Sequence, residues 1–431
     1  MKTYPKIKDS GIESIGKIPD SWNINKLKYC FQFKKGKNAQ KYTKEFVLSN
    51  VGEYPVYSGE TKNSGILGKI NNFEYDLDEV IFVTTVGANA MYSLVISGKF
   101  SLSQNCALIV PKNQKMNVRY YWYQLQQIFQ YEKGRISLIM QPSLRFEDLK
   151  EYNLVIPSKE EQDIISCFID KKISKIDSDI FKKQKLIELL KEKKQYLLNQ
   201  AVTKGLDLSV QMKDSSKEWI GKIPKHWKLN ALKKIIENDT TITYGIVQTG
   251  EHIEDGIPCL RTSDMKGKTF PKNGYIKTSP EIDAKFKRSK VHEEDIVVAI
   301  RATVGKALMV PDYLDGANLT QGTAKISPNE TMNNQFVLHA INSESSQQRF
   351  KSIMKGATFK EITLEMLRNF VITCPPLKEQ IEISKFINFE EKKIKLLISN
   401  IVSEIEKLQE YRQSLISSAI SGKIDLRETV A

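Results

Sequence analysis

Residue types that catalyse reactions are present in this chain, but none of them stands at a catalytic spacing. Gly65, Gly68 and Lys69 resemble part of a phosphate-binding loop, yet they lack its spacing and the hydroxyl residue that would reach a magnesium ion. The acidic pair Glu293 and Glu294 precedes an apolar segment, where a solvated loop is the more frequent structure. The sequence therefore indicates no nucleotide hydrolysis and no paired-carboxylate chemistry.

Metal, thiol and base-flipping chemistry are not indicated either. An isolated histidine is more often a surface or core residue than a ligand, and the four histidines are scattered: His226, His252, His292 and His339. The five cysteines form no C-x-x-C pair, which argues against a zinc site or a disulfide framework: Cys30, Cys106, Cys167, Cys259 and Cys374. The Pro-Pro at 375–376 lacks the neighbouring residues with which amino-methyltransferases hold a flipped base.

The chain is instead organised as one module written twice. Residues 9–28 reappear at 214–233, with 12 of 20 positions identical and no gap. EEQDIISCFID at 160–170 aligns with KEQIEISKFIN at 378–388, and YLLNQAVTKGLDL at 196–208 aligns with SLISSAISGKIDL at 414–426. Two near-equal halves predict pseudo-twofold symmetry within one polypeptide.

Each repeat ends in a pattern that predicts a long coiled-coil helix. Steps of four and three residues place apolar side chains on one seam of each helix: Ile169, Ile173, Ile176, Ile180, Ile187, Leu190, Leu197 and Ala201, and Ile383, Ile387, Ile394, Ile398, Ile401, Ile405, Leu408, Leu415 and Ala419. Each seam covers about 37 residues, or about 55 Å. A parallel pair would place Lys194 opposite Arg412 in a desolvated layer, so we expect the two helices to be antiparallel.

The segments between the repeated motifs have diverged and are basic. The chain has 431 residues and a net charge of +14, of which +7 lies in residues 1–152 and +5 in residues 211–375. Strand-like runs such as residues 79–86, 106–111, 295–300 and 323–328 alternate with Gly-, Asn- and Ser-rich turns, which predicts mixed α/β domains. Nearly all of the excess positive charge lies in the variable segments, which favours a polyanion such as DNA or RNA over a merely solvated surface.

The order and spacing of these motifs resemble one known family. E-W-I-G-K-I-P-x-H-W opens a variable domain, P-x-x-E-Q-x-x-I begins a heptad helix, and the helix ends in A-[IV]-[ST]; the first copy departs at Ser14, where the second has Trp219. The duplicated pattern covers essentially the whole chain and resembles the specificity subunit of type I restriction-modification systems. No single motif would be as specific as this combination.

The resemblance implies a fold and a division of the chain. The fold class is α/β (mixed α+β), with two pseudo-twofold-related target recognition domains separated by two long antiparallel coiled-coil helices that act as a ruler. The expected boundaries are residues 1–152 for the first target recognition domain, 153–208 for the central conserved helical region, 209–370 for the second domain and 371–431 for the distal conserved helical region.

The resemblance also implies function and partners. Each domain would read half of a bipartite asymmetric site in double-stranded DNA, without catalysis by this chain. Two methyltransferase subunits would dock on the helical regions, and restriction subunits would join them. S-adenosylmethionine, ATP and magnesium would then belong to the partners, so this chain would hold no cofactor and no metal. We expect a cytoplasmic protein, because no apolar run approaches the length of a membrane span and the scattered cysteines fit a reducing compartment.

The duplication helps to choose residues that could contact DNA. A residue identical in both copies cannot distinguish two different half-sites, so Gln104 and Gln321 suit phosphate contact or loop structure better than base discrimination. Polar residues in divergent turns are the candidates for base reading: in the first domain Tyr57, Lys62, Asn63, Thr84, Thr85, Asn89 and Asn105; in the second Tyr244, Gln248, Thr249, Arg261, Thr262, Ser263, Lys266, Arg301, Thr303 and Lys306.

Two other classes of function remain open at this point. A coiled-coil scaffold whose globular ends bind proteins fits the helices but not the basic bias of both variable segments. A fused, self-sufficient DNA-modifying enzyme fits the length but not the missing cofactor motifs. The sequence gives neither the DNA target nor its spacer length, and it does not decide whether the complex restricts DNA or only methylates it.

Overall fold

A computed structural model describes residues 2–60, 62–113, 115–136, 141–354 and 360–428. The chain forms two compact units: unit 1 comprises Met1–Lys183 with Ser403–Ala431, and unit 2 comprises Gln184–Val402. Each unit therefore combines one variable segment with helical residues from both repeats. Across the described residues, no helix is long and apolar enough to cross a bilayer.

Unit 1 is built on a six-stranded sheet. The strands of the whole unit are β1 (Ile7–Asp9), β2 (Lys17–Pro19), β3 (Asn23–Lys26), β4 (Phe31–Lys35), β5 (Val51–Tyr57), β6 (Ile66–Ile70), β7 (Tyr75–Thr84), β8 (Ser93–Leu102), β9 (Cys106–Pro111) and β10 (Asn153–Ile156). Its helices are α1 (Leu27–Cys30), α2 (Lys44–Ser49), α3 (Val118–Arg135), α4 (Phe146–Glu151), the first part of α5 (Lys159–Lys204) and the last part of α10 (Leu377–Ile420). The large sheet has the order β4-β9-β7-β8-β5-β6, and β1-β2 and β3-β10 form separate antiparallel pairs.

Continuous apolar runs in β7 and β9 are buried on both faces of this sheet. Ile81 and Val83 point into the core that α3 and α5 cover, whereas Val80 and Phe82 point into a second cluster on the opposite face. Because successive side chains of a strand alternate between faces, a strand with two buried faces loses the polar alternation of a surface strand. The predicted strand at 79–86 is therefore present, but it runs from Tyr75 to Thr84.

Unit 2 has smaller sheets than unit 1. Its strands are β11 (Met212–Asp214), β12 (Lys222–Pro224), β13 (Lys228–Ala231), β14 (Ile257–Leu260), β15 (Ile276–Thr278), β16 (Ile296–Ala299), β17 (Ala307–Met309), β18 (Asn318–Leu319), β19 (Thr323–Ile326) and β20 (Val371–Cys374). Its helices are α6 (Pro280–Lys285), α7 (Asn334–Asn342), α8 (Glu344–Ile353), α9 (Leu364–Arg368), the rest of α5 and most of α10 (Leu377–Ile420). Two three-stranded sheets have the orders β15-β14-β18 and β17-β16-β19.

The tryptophan of each repeated opening motif anchors the start of its helix. The indole Nε1 of Trp22 donates to Glu161 Oε1 at 3.2 Å, and that of Trp227 donates to Glu379 Oε2 at 2.9 Å. Both indoles are fully buried. The Glu of each repeated E-Q motif is thus retained because it satisfies a buried donor that would otherwise be costly.

The glutamine of the same motif fixes a second helix. Gln380 Oε1 accepts from the Asn333 backbone N at 2.8 Å, while its Nε2 donates to Pro375 O at 2.8 Å. Gln162 makes the same pair of bonds to Asn117 N and Pro157 O. Because Asn117 and Asn333 cap α3 and α7, one glutamine side chain ties the long helix to the variable domain in each unit.

The glycines at the helix ends pack on the tryptophan of the other repeat. A Cβ on Gly422 would lie 2.4 Å from Pro19 Cδ and 3.0 Å from the Trp22 ring, and a Cβ on Gly205 would lie 3.2 Å from the Trp227 ring. Both glycines have positive φ, which L side chains rarely adopt. The C-terminal end of each long helix therefore packs in the unit that contains the variable domain of the other repeat.

The two long helices are antiparallel and longer than the heptad pattern alone indicates. α5 contains 46 residues and α10 contains 44. Both are longer than the seam, because the first turns of each helix carry the E-Q motif and no seam residues. Within unit 1, Asp177 pairs with Arg412 at 3.1 Å while Lys183, further along α5, pairs with Glu404, earlier on α10. Within unit 2, Lys194 pairs with Glu391 at 2.9 Å. Lys183 and Lys194 stand at seam positions where the heptad pattern would place apolar residues, and carboxylates of the facing helix compensate their charge.

Candidate nucleic-acid interface

Three polar loops of unit 1 are held together by hydrogen bonds. The side chain of Asn89 donates from Nδ2 to Gly59 O at 2.9 Å, and Ser103 N donates to Tyr57 O at 2.8 Å. Thr85 N donates to Asn105 O at 2.7 Å. The candidate residues in loops 57–65, 84–92 and 102–106, which are far apart in sequence, therefore lie on one connected surface.

Most of the predicted residues of this surface present their side chains to solvent. Asn63, Asn89, Gln104 and Asn105 are exposed, and Thr85 is partly exposed. The side chain of Lys62 lies outside the described residues. Asn63 and Asn105 have φ of 53° and 61°, a conformation that asparagine tolerates better than most residues and that occurs often at functional turns.

Two predicted residues of unit 1 are less suited to contact DNA. Thr84 is fully buried, its hydroxyl donates to Asn89 O, and the same oxygen accepts from Tyr92 N at 3.1 Å. The structure argues against Thr84 as a base-reading residue, because that hydroxyl stabilises the turn. The Tyr57 ring packs between Phe82 and Phe100, and burial raises the pKa of its hydroxyl.

The structure adds a cleft that the sequence did not reveal. Lys35, Ser143, Arg145 and Glu147 line a cavity of about 440 Å³ together with Thr85 and Asn105. Ser143 and Arg145 are exposed, and the Leu144 backbone N donates to Thr85 O at 2.7 Å. Lys35 and Arg145 could not be selected from sequence, because both lie outside the glycine-rich turns and approach the loops through contacts between segments distant in the chain.

In unit 2, four loops converge in the same way. Thr320 N donates to Leu260 O at 3.2 Å, Gln321 N to Ile246 O at 3.1 Å, and Ile300 N to Gly322 O at 2.9 Å. A Cβ on Gly322 would lie 3.1 Å from Thr262 Cγ2, which shows how closely loops 260–266 and 319–323 approach.

The basic side chains of these loops are oriented by partners within the unit. Arg261 binds Asp264 through Nε at 3.1 Å and Nη2 at 3.0 Å, and these hydrogen bonds raise the pKa of the guanidinium. Lys306 Nζ donates to Lys266 O at 2.8 Å, and burial lowers the pKa of Lys306 from its usual value. Arg301 Nε lies 3.0 Å from Glu361 Oε2. These cations are positioned before any ligand arrives.

The predicted residues of unit 2 are all accessible, and most of them lie on the four connected loops. Exposed side chains are those of Tyr244, Gln248, Ser263, Lys266, Arg301, Thr303 and Gln321, and partly exposed ones are those of Thr249, Arg261, Thr262 and Lys306. Loop 260–266 joins loops 299–306 and 319–323, and Tyr244 forms a β-bridge with Ala324. Thr249 is tied elsewhere, because its carbonyl accepts from the Thr278 hydroxyl at 2.7 Å.

Gln104 and Gln321 occupy equivalent turns, each between the end of one strand and the start of the next. Both are exposed, one after Leu102 and the other after Leu319. Within the described part of the chain, no group of three or more His, Cys, Asp or Glu residues is placed to hold a metal ion. The site is thus a set of hydrogen-bond donors and cations suited to an anionic polymer.

Comparison with known proteins assigns the chain to a family. The family model described as the type I restriction modification DNA specificity domain matches residues 19–191 and 224–407. The chain belongs to the type I restriction-modification DNA specificity family. Each of the two matches contains the core of one variable domain and the first part of the long helix that follows it.

Relatives of this specificity-family chain match over most of its length. It is 27% identical over 337 residues to the type I restriction enzyme EcoBI specificity subunit of Escherichia coli. That match covers 75% of this chain and 69% of the relative. This chain is 24% identical over 421 residues to the type I restriction enzyme MjaVIII specificity subunit of Methanocaldococcus jannaschii, covering 95% of both.

Solved structures share the fold of this specificity-family chain. One solved structure, which concerns complex assembly and conformational transition of the type I R-M system, has a TM-score of 0.70 at 13% identity. The match covers 94% of this chain and 99% of the chain in that structure. The HsdS subunit of Thermoanaerobacter tengcongensis has a TM-score of 0.56 at 12% identity and covers 94% and 98%.

Proposed function

We propose that this chain recognises a bipartite, asymmetric site in double-stranded DNA, with each variable domain reading one half-site. The observation that carries the proposal is a duplicated framework that holds two different sets of loops. Trp22 and Trp227 make equivalent bonds to Glu161 and Glu379, whereas the exposed side chains of the loops differ between units. A repeated framework with different loops suits a protein whose two domains have the same backbone support but contact two different base sequences.

The proposed partners follow from family membership. Two methyltransferase subunits and the restriction subunits of a type I complex bind this chain, which directs them to the DNA site in the cytoplasm. The chain itself is non-catalytic, and S-adenosylmethionine, ATP and magnesium bind to the partners. A coiled-coil scaffold or a fused self-sufficient enzyme is not favoured. Crosslinking of S-adenosylmethionine to the isolated chain would contradict the non-catalytic assignment.

Binding to duplex DNA should depend steeply on salt. The variable segments carry an excess of +7 and +5 charges, and neutralising about six to ten phosphates lowers affinity by about 10³- to 10⁵-fold between about 50 and 200 mM salt. Filter binding of a labelled duplex over this range measures the slope. Lys266→Gln should reduce the slope by about one, and Lys185→Gln on α5 should leave it unchanged. A flat response would refute the electrostatic part of the proposal.

Specificity should be exchangeable by domain. Replacing residues 30–150 with the corresponding segment of a relative should change one half of the recognised sequence, because the bond of Trp22 to Glu161 and the packing of Gly422 on Trp22 lie outside the exchanged segment. Methylation-sensitive sequencing of a host that carries the exchanged chain with its partner subunits gives the new site. Alteration of both half-sites would show that the domains do not read independently.

A further inference from the structure

Each variable domain contains the same junction of three backbone segments. In unit 1, Thr85 N donates to Asn105 O, Leu144 N donates to Thr85 O, and Val86 forms an antiparallel bridge with Ser143. In unit 2, Ile300 N donates to Gly322 O and Ile362 N donates to Ile300 O. Arg301 forms the matching antiparallel bridge with Glu361. The hydrogen bonds therefore make Val86 equivalent to Arg301, and Ser143 equivalent to Glu361.

This equivalence differs from the one suggested by sequence. The shared tripeptide Thr-Val-Gly aligns Thr85 with Thr303, an offset of 218, whereas the backbone bonds align Thr85 with Ile300, an offset of 215. Unit 2 therefore has three extra residues between the bridge and the turn glycine: residues 302–304 separate Arg301 from Gly305, whereas Val86 directly precedes Gly87. Ala302, the first of them, has φ of 59°, which a non-glycine residue adopts only at an energetic cost.

The junctions carry different chemistry at the equivalent pair. In unit 2, the side chains of Arg301 and Glu361 form an ion pair and are each about half exposed, at 49% and 48%. In unit 1, Val86 is 42% exposed beside the exposed hydroxyl of Ser143. Unit 2 thus has a charged pair at the position of the common backbone arrangement where unit 1 has an apolar side chain and a hydroxyl.

We propose that this pair is specificity-determining: Arg301, positioned by Glu361, reads a guanine in one half-site, and Val86 at the equivalent place favours thymine in the other. The ion pair joins Glu361 to Nε, the guanidinium nitrogen furthest from the tip, so it holds the side chain near this position and leaves the two terminal nitrogens available. A planar guanidinium matches the O6 and N7 acceptors of guanine, and an apolar side chain contacts the thymine methyl group. This inference rests on the proposed function.

Exchange of the two pairs provides the test. The complex of the full chain with its methyltransferase subunits is used to select sites from a randomised duplex library. Arg301→Val with Glu361→Ser should lose guanine preference at one position by about 5- to 150-fold and leave the other half-site unchanged. Val86→Arg with Ser143→Glu should raise guanine preference at one position of the other half-site.

Two further variants separate base reading from charge and from folding. Arg412→Val with Asp177→Ser removes an ion pair of the same type from the long helices of unit 1 and should leave both half-sites unchanged. Arg301→Lys keeps the charge but not the fork of donors, so it should lower guanine preference while affinity for unrelated duplexes stays within about twofold.

The possible outcomes are distinct. Equal weakening on every sequence, with unchanged base preferences, would assign Arg301 to a phosphate and overturn the inference. A change at both half-sites in either exchange would overturn it as well. If the unsubstituted complex enriched no sequence at all, the proposed function would fail, and this result is independent of any substitution at the junction.

Discussion

Replacing Trp227 with alanine lowers the free energy of unfolding by about 3–5 kcal/mol, the range typical of a buried aromatic residue. The indole is fully buried, lies against Gly205, and belongs to a core that includes Leu198, Val202 and Ile383. Its loss leaves a cavity where the two repeats meet within unit 2, and it removes the indole donor to Glu379. Denaturant unfolding followed by circular dichroism measures the change.

Two controls make this expectation specific. Trp227→Phe keeps most of the ring volume and loses mainly the bond to Glu379, so the loss should be smaller than that for alanine, on the order of 1–2 kcal/mol. Tyr411→Ala removes a half-exposed aromatic side chain from α10 and should cost no more than about 0.5 kcal/mol. A loss below about 1 kcal/mol for Trp227→Ala would mean that the tryptophan does not anchor the helix ends.

Gly245→Ala should weaken base reading by unit 2 while unit 1 continues to read its half-site. A Cβ on Gly245 would lie 1.9 Å from Leu319 O and 2.3 Å from Leu319 C. These are backbone atoms of the strand that leads into the turn at Gln321, so the clash cannot be relieved by a side-chain rotation. We expect loop 319–323 to move and preference at that half-site to fall at least about tenfold, equivalent to about 1.4 kcal/mol.

The matched control is Gly134→Ala in α3. A Cβ at Gly134 meets nothing within 4 Å, and alanine favours a helix interior over glycine by up to about 1 kcal/mol. This variant should be neutral or slightly more stable and should keep both half-sites. Site selection from a randomised duplex library compares the two variants. Retention of the original base preferences of unit 2 in Gly245→Ala would contradict the role assigned to the 319–323 turn.

Local patterns were sufficient to predict the helical framework. The heptad seam appears as buried Ile173, Ile387 and Ile394, because a helix must bury its apolar stripe against a neighbour. The antiparallel direction followed from the cost of placing Lys194 opposite Arg412, and the structure gives each of them a carboxylate partner instead. The role of the E-Q motif was not predictable, because Gln162 bonds Asn117, 45 residues away.

The variable domains and their surfaces were only partly predictable. Strands β7 and β9 were visible as apolar runs, but the pairing of β4 with β9 and of β5 with β8 joins segments distant in sequence, which local periodicity does not report. The turns could be identified from their composition. Which side chains of a turn are buried could not, and Thr84, a predicted contact residue that is fully buried, is the example. Arg301 was selected from sequence, but its partner Glu361 is 60 residues away and was missed.

The closing of each unit by the opposite repeat has a consequence during translation. Unit 2 is a continuous stretch, so all its residues are available once Val402 has left the ribosome. Unit 1 is split, and its core lacks Ile416, Ala419 and Ile420 until the last part of the chain emerges. At about 5–20 residues per second, the intervening stretch of about 220 residues takes roughly 10–45 seconds. During that time the first-synthesised domain exposes the apolar surface around Trp22, and it completes its folding after the second.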